Sequence, residues 1–225
     1  MIKIEHTEVF GWDAAIRGMR NPKNSWDRMD SDWEFVEDPS IINPNDEVKF
    51  VLGENDADLA RRLCKGGPVH AKFRRMIKVY ADITCHHTWW AEFDTYKVGT
   101  VRNSCSKMHK IHVKEFVYDD FSTEGIDECG GRTVEVFVAV LNELERLRRL
   151  FNETQEKKYW RAIIDLLPMG FNLKATVEVN YEVLANIYRW RKNHKLVEWH
   201  EVCRWIESLP YSWIITGEVN DNGET

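Results

Sequence analysis

Apolar and polar residues alternate most clearly at 76–84 (MIKVYADIT). Ile77, Val79, Ala81 and Ile83 face one way, and Met76, Lys78, Tyr80 and Asp82 the other, which is strand spacing. Helical spacing dominates the second half. Val134, Phe137, Val138, Leu141, Leu144, Leu147 and Phe151 form one stripe over 134–151. A further helix is expected over about 155–167, stopped by Pro168. The patterns at 178–191 and 195–208 predict two more, the last repeating Leu196, Trp199, Cys203 and Ile206. Earlier in the chain, 2–10 reads as an edge strand, 12–19 as a short helix and 48–52 as a strand. Asn55 or Asp56 is expected to cap a helix through Leu59 and Leu63, ended by Gly66-Gly67. Residues 87–98 predict a helix with Trp89, Trp90 and Phe93 on one side. Residues 20–50 read as an irregular Trp-rich insertion, and 118–133, with three Gly and five acids, as a mobile loop. Together these elements predict a single α+β domain over 1–217 and a polar tail over 218–225.

The 225 residues suit one domain of ordinary to large size, and 43% hydrophobic with 30% charged residues excludes wholesale disorder. The formal charge of -6 gives no bulk attraction for polyphosphate, so duplex nucleic acid is not an expected partner. A small anion held by a few local Arg residues is compatible with it. Five Cys stand singly with no CxxC, which reads as a reducing, cytoplasmic setting. The N-terminus lacks an apolar signal core, and no apolar run is long enough to span a membrane.

The densest polar stretch runs from Glu92 to His109. It follows a Trp-rich segment and carries Lys97, Arg102, Asn103, Ser104, Ser106 and His109, with Gly99-Thr100 opening the backbone. Amides and hydroxyls for base or phosphate, cations for charge and Trp for stacking suit a nucleotide. A solvated turn with its own local hydrogen bonds is the alternative. A second set is Asn180, Asn186, Arg189, Arg191 and His194. Arg191 could grip a phosphate or polarise a carbonyl, or simply favour a helix C-terminus. Arg17, Arg20 and Asn21 are further phosphate candidates or surface residues. Cys85-His86-His87 are consecutive and cannot converge from a regular element, and His109 and His112 lack a third ligand, so no metal site is expected. No Walker, dinucleotide or GxSxG motif is present.

Over roughly residues 50–210 the ordered set of segments resembles the flavin-dependent thymidylate synthase family. That family has a Gly-rich turn, a strand, a helix and a signature RHRxxSxNxxSxRY. Here the turn falls on Gly66-Gly67-Pro68 and the signature on Tyr96 to His109, with Asn103 and Ser106 matching. Leu167-Pro168, Thr176 and the series Asn180, Asn186, Arg191 fit the family's later pattern. Departures are concentrated in the anion-binding positions. Arg-His-Arg becomes Tyr96-Lys97-Val98, the first Ser becomes Val101, and the closing Arg-Tyr becomes Met108-His109. An Arg before the Pro becomes Ile164, and an Arg two after the first helix Asn becomes Glu182.

The resemblance implies a homotetramer with sites at subunit interfaces and a small-molecule pyrimidine nucleotide as ligand. It implies Arg191 as the catalytic residue facing the base. Asn180, Asn186 and Lys97 would be cofactor contacts, and Arg102, Asn103, Ser104, Ser106 and His109 substrate contacts. It also implies FAD and a reduced folate as cofactors, for C5 methylation or a related one-carbon modification of a deoxyuridine-type nucleotide. The replaced basic residues support a second reading, a non-catalytic nucleotide-binding or protein-interaction module on the same fold. Use of the Trp-rich first 40 residues as a contact surface is a third.

Overall fold

A computed structural model describes residues 2–35 and 48–217. The expected tail at 218–225 and residues 36–47 of the expected insertion lie outside the described residues. Strands are β1 (Lys3–Phe10), β2 (Asp32–Phe35), β3 (Val48–Val51), β4 (Lys78–His86), β5 (Val101–Ser104) and β6 (Asn172–Asn180). Helices are α1 (Trp12–Arg20), α2 (Glu54–Lys65), α3 (His87–Phe93), α4 (Lys107–Lys110), α5 (Glu124–Cys129), α6 (Gly131–Thr154), α7 (Lys157–Leu166), α8 (Tyr181–Arg191), α9 (Glu198–Glu207) and α10 (Trp213–Thr216). The fold is thus mixed helix and sheet.

Four strands form a sheet in the order β1-β4-β6-β5, and β2 pairs antiparallel with β3, Trp33 opposite Phe50. Across β4 and β6, Tyr80 meets Glu178 and Asp82 meets Thr176. Partner numbers rise on one strand as they fall on the other, so the pair is antiparallel. The alternation at 76–84 holds: Val79, Ala81, Ile83 and Cys85 are buried, and so are Leu173, Ala175, Val177 and Val179 on β6.

Two compact units emerge. The first comprises residues up to His6, Ala81–Lys97 and Arg102–Val177; the second comprises Thr7–Tyr80, Val98–Val101 and Glu178 onward. In the first, α6 and α7 pack around Phe116, Phe121, Phe137, Leu144, Leu147 and Ile163. In the second, Trp12 stacks on Phe50 and meets Tyr181 and Tyr211 edge-on. Burying such side chains contributes about 1.5–3 kcal/mol each. Gly11 joins β1 to α1 at φ 94, where a Cβ would lie 2.2 Å from the Met76 carbonyl oxygen, so only glycine fits.

Several expectations need correction. The helix placed at 178–191 starts at Tyr181, because 172–180 alternates cleanly and forms β6. The helix at 87–98 ends at Phe93. The acidic segment at 118–133 is ordered into a 3-10 turn, a bridge from Phe121 to Phe171, α5 and the start of α6. Within 20–50, Asp32–Phe35 is a strand, as its pairing with β3 requires. Neither Asn55 nor Asp56 caps α2. Gly53 is the N-cap, and the Asp30 carboxylate accepts the Asn55 and Asp56 amides. None of the five cysteines forms a disulfide. No helix among the described residues is long and apolar enough to cross a membrane.

Candidate functional site

In the first unit, β4 runs directly into α3, and β5 follows after a turn. Trp90 on α3 is 2% exposed, and its Nε1 donates to the Leu173 carbonyl oxygen at 2.9 Å. The indole is therefore fixed in place. The Arg102 guanidinium lies over it, 4.8 Å from the ring centroid, a cation–π contact. Arg102 Nη1 also sits 3.1 Å from Asp94 Oδ2, but without an aligned hydrogen bond. The Cys105 amide donates to the Lys174 carbonyl oxygen at 3.0 Å, tying the end of β5 to β6.

These residues wall an open cleft of about 500 Å³. Its charged lining is Arg102, Lys107 and Asp94, with His87 as a further titratable ring. Ser104, Cys105 and Ser106 supply hydroxyls and a thiol, and Trp90, Met108, Met169 and Leu173 an apolar surface. Burial pushes the Lys107 ammonium down, and the like charge of Arg102 pushes it further. Burial also lowers His87 to about 4, with Lys107, Arg102 and His86 adding to the shift. Its Nε2 is buried and has no hydrogen-bond partner. Lys107 and His87 are thus both lowered by burial first and by neighbouring positive charge second. Cations, hydroxyls, an indole and thioethers in one lining suit an anion attached to a ring.

Arg102, Ser104 and Ser106 line this cleft. Asn103, exposed on β5, does not. His109 is exposed on α4, its backbone N–H donating to Ser106 Oγ at 3.2 Å. Lys97 is exposed in the turn after α3, and Val98 beside it is 90% exposed. Asn180, Asn186 and Arg191 belong to the second unit. Asn180 is the N-cap of α8: its Oδ1 accepts the Glu182 and Val183 amides at 3.1 and 3.0 Å, and Nδ2 donates to the Gly99 carbonyl oxygen. Gly99 has φ 83, and a Cβ there would lie 2.7 Å from Asn180 Nδ2, so this glycine serves the close approach. Asn186 is exposed on α8, and Arg191 stacks over Trp199 at 4.8 Å.

Two expectations about charge change. Arg20, a candidate phosphate ligand, is 3% exposed, and its Nε donates to Asp56 Oδ1 at 2.6 Å, which makes it part of the core. Asn21 accepts from Trp26 Nε1. Glu182, where the resemblance implies an Arg, lies 3.7 Å from buried Arg74 and forms an ion pair with it. Lys107 and His87 were not singled out as ligands from sequence. Lys107 was readable as a cation inside the polar stretch, whereas His87 carried only a metal reading. Among the described residues no group of His, Cys, Asp or Glu could hold a metal ion.

No protein-family model matches the chain, and no curated protein matches it. Solved structures do. A thymidylate synthase X from Helicobacter pylori with FAD and dUMP superposes with a TM-score of 0.65 at 14% identity, covering 96% of this chain and 98% of that one. Another structure, the flavin-dependent thymidylate synthase of the same organism with FAD and dUMP, gives 0.64 at 14% identity, covering 97% and 100%. The chain therefore has the fold of the flavin-dependent thymidylate synthases.

Proposed function

We propose that the first unit's cleft binds a pyrimidine nucleotide of the deoxyuridine monophosphate type. Arg102 and Lys107 would hold the phosphate, the Ser104 and Ser106 hydroxyls would donate to it, and the base would lie along Met108, Met169 and the Trp90 edge. One observation carries this reading: two cations face a cleft in which Asp94 is the sole acidic lining residue. A phosphate neutralises that excess charge with charge-assisted hydrogen bonds. The fold neighbours hold dUMP, which supports the choice of nucleotide.

The residues present do not fit FAD in the manner the resemblance implies. The turn that should carry Arg-His-Arg has one cation, Lys97, and an exposed valine. The Asn180 carboxamide is committed to the α8 cap and to Gly99. No chemical step is therefore assigned through a flavin. An enzyme reading, C5 one-carbon modification with FAD and a reduced folate in a homotetramer, has one observation in its favour. The fold neighbours carry FAD beside dUMP. In that reading Arg191 polarises the base.

Equilibrium dialysis against dUMP and deoxyuridine tests the proposal. The expected result is saturable dUMP binding with deoxyuridine at least about tenfold weaker. Equal affinity for the two, or none for either, would remove it. The absorption spectrum after incubation with FAD and gel filtration separates the enzyme reading: a retained flavin band supports it, and its absence leaves nucleotide binding alone.

A further inference from the structure

We propose that His87 is the third phosphate-holding group of the cleft, and that a terminal phosphate enters it together with one proton shared between a phosphate oxygen and His87 Nε2. The inference rests on the nucleotide reading above. It adds a group to which the resemblance assigns no role.

The geometry supplies the argument. The His87 ring stacks on Phe171, centroids 6.2 Å apart, and its backbone amide donates to the Met169 carbonyl oxygen. His87 lines the cleft, and its Nε2 is a buried polar atom with no partner. An unpaired buried polar group is costly, and a ligand hydrogen bond removes that cost. Lys107 from α4, Arg102 from β5 and His86 just before it act on the ring's charge, and Asp94 and the Cys105 thiol belong to the same cleft lining. The Met169–Phe171 segment adds no titratable group.

With the cleft empty, burial and the two cations keep the ring neutral. A phosphate dianion cancels the charge of Arg102 and Lys107, and the ring can then share a proton drawn from solvent. No covalent bond forms or breaks. A phosphomonoester, with a second ionisation at about pH 6, can share that proton. Sulfate or a phosphodiester cannot, so the site is expected to select terminal phosphates.

The test uses the full chain with inorganic phosphate, sulfate and dUMP as probes. NMR titration of the His87 ring, assigned by its loss in His87→Gln, should show a shift from about 4 to above about 6 in saturating phosphate. Calorimetry near about pH 7.5 in buffers of different ionisation enthalpy should show net proton uptake on phosphate binding. Sulfate should bind at least about tenfold more weakly. In His87→Gln the proton uptake and the preference over sulfate should disappear while the melting temperature holds. A ring still titrating near 4 in bound phosphate, uptake that survives in His87→Gln, or no phosphate binding at millimolar concentration would overturn the inference. If phosphate behaves as expected and dUMP binds no tighter than phosphate, the pyrimidine reading fails and this one stands. If dUMP binds without moving the His87 titration, the reverse holds.

Discussion

The two units handle positive charge differently. In the second, Arg20 and Arg74 are 3% and 8% exposed, and each faces an acid, Asp56 and Glu182. In the first, Arg102 and Lys107 line an open cleft where Asp94 is the only acid, and no carboxylate pairs with Lys107 among the described residues. A buried cation must be neutralised within the fold, because its desolvation is otherwise too costly. A half-exposed cation need not be, and it remains available to a ligand. Basic residues of the same kind thus serve folding in one unit and offer binding in the other.

The strongest way to break this comparison is to remove an acid from the second unit. Asp56 is fully buried and accepts from Arg20, the Ser31 hydroxyl and amide, and the Asp30 amide. Asp56→Ala should cost about 3–5 kcal/mol in denaturant unfolding, because Arg20 is left buried and unpaired. A loss below about 1 kcal/mol would mean that Arg20 reaches water. Burial pushes the Asp56 carboxyl up, but the bonds from Ser31, Asp30 and Arg20 outweigh it and hold it below its ordinary value of 3.8. The folded form is the more acidic. Its stabilisation is therefore complete above that value and is lost as pH falls through the lower folded one.

Next in size is the cleft. Arg102→Ala should weaken dUMP binding by about 10–100-fold, the worth of a charge-assisted pair, with little change in unfolding free energy. Dialysis and melting on the same preparation check both halves. Asn180→Ala sharpens the comparison from the other side. It removes the α8 cap and should cost about 1–2 kcal/mol of stability. A large loss of dUMP affinity at unchanged stability would instead return Asn180 to the ligand role that the resemblance implies. A pH dependence is also expected. His87 is lowered to about 4 in the fold against 6.5 unfolded, so the unfolded chain takes up a proton first. Without ligand, stability should therefore decline as pH falls from about 6.5 toward 4, and His87→Gln should flatten that slope.

The sequence carried the periodic parts well. The strand at 76–84, the α6 stripe at Phe137, Leu144 and Leu147 and the stop before Pro168 follow from spacing that burial then enforces, whereas Val138 of the expected stripe is exposed. β6 was also legible as Leu173, Ala175, Val177 and Val179, with Asn180 as the cap that switches strand to helix. The helical pattern placed at 178–191 reaches three residues too far back, into the end of β6. Charge partners were not legible, since they depend on contacts distant in sequence: Arg20 with Asp56 is 36 residues apart. For the same reason Arg20 and Glu182 suggested a gained and a lost anion ligand, whereas both are internal ion pairs. Arg102, Ser104 and Ser106 share the cleft because they cluster along one short stretch, and His87 joins them only through the turn of the chain.

The most direct test measures dUMP affinity and unfolding free energy for Lys107→Ala beside Arg74→Ala. The account predicts opposite outcomes. Lys107→Ala should lose about tenfold or more in affinity at near-constant stability, and Arg74→Ala should lose stability through the stranded Glu182 carboxylate. Unchanged dUMP affinity in Lys107→Ala, or an Arg74→Ala protein as stable as the parent, would contradict it.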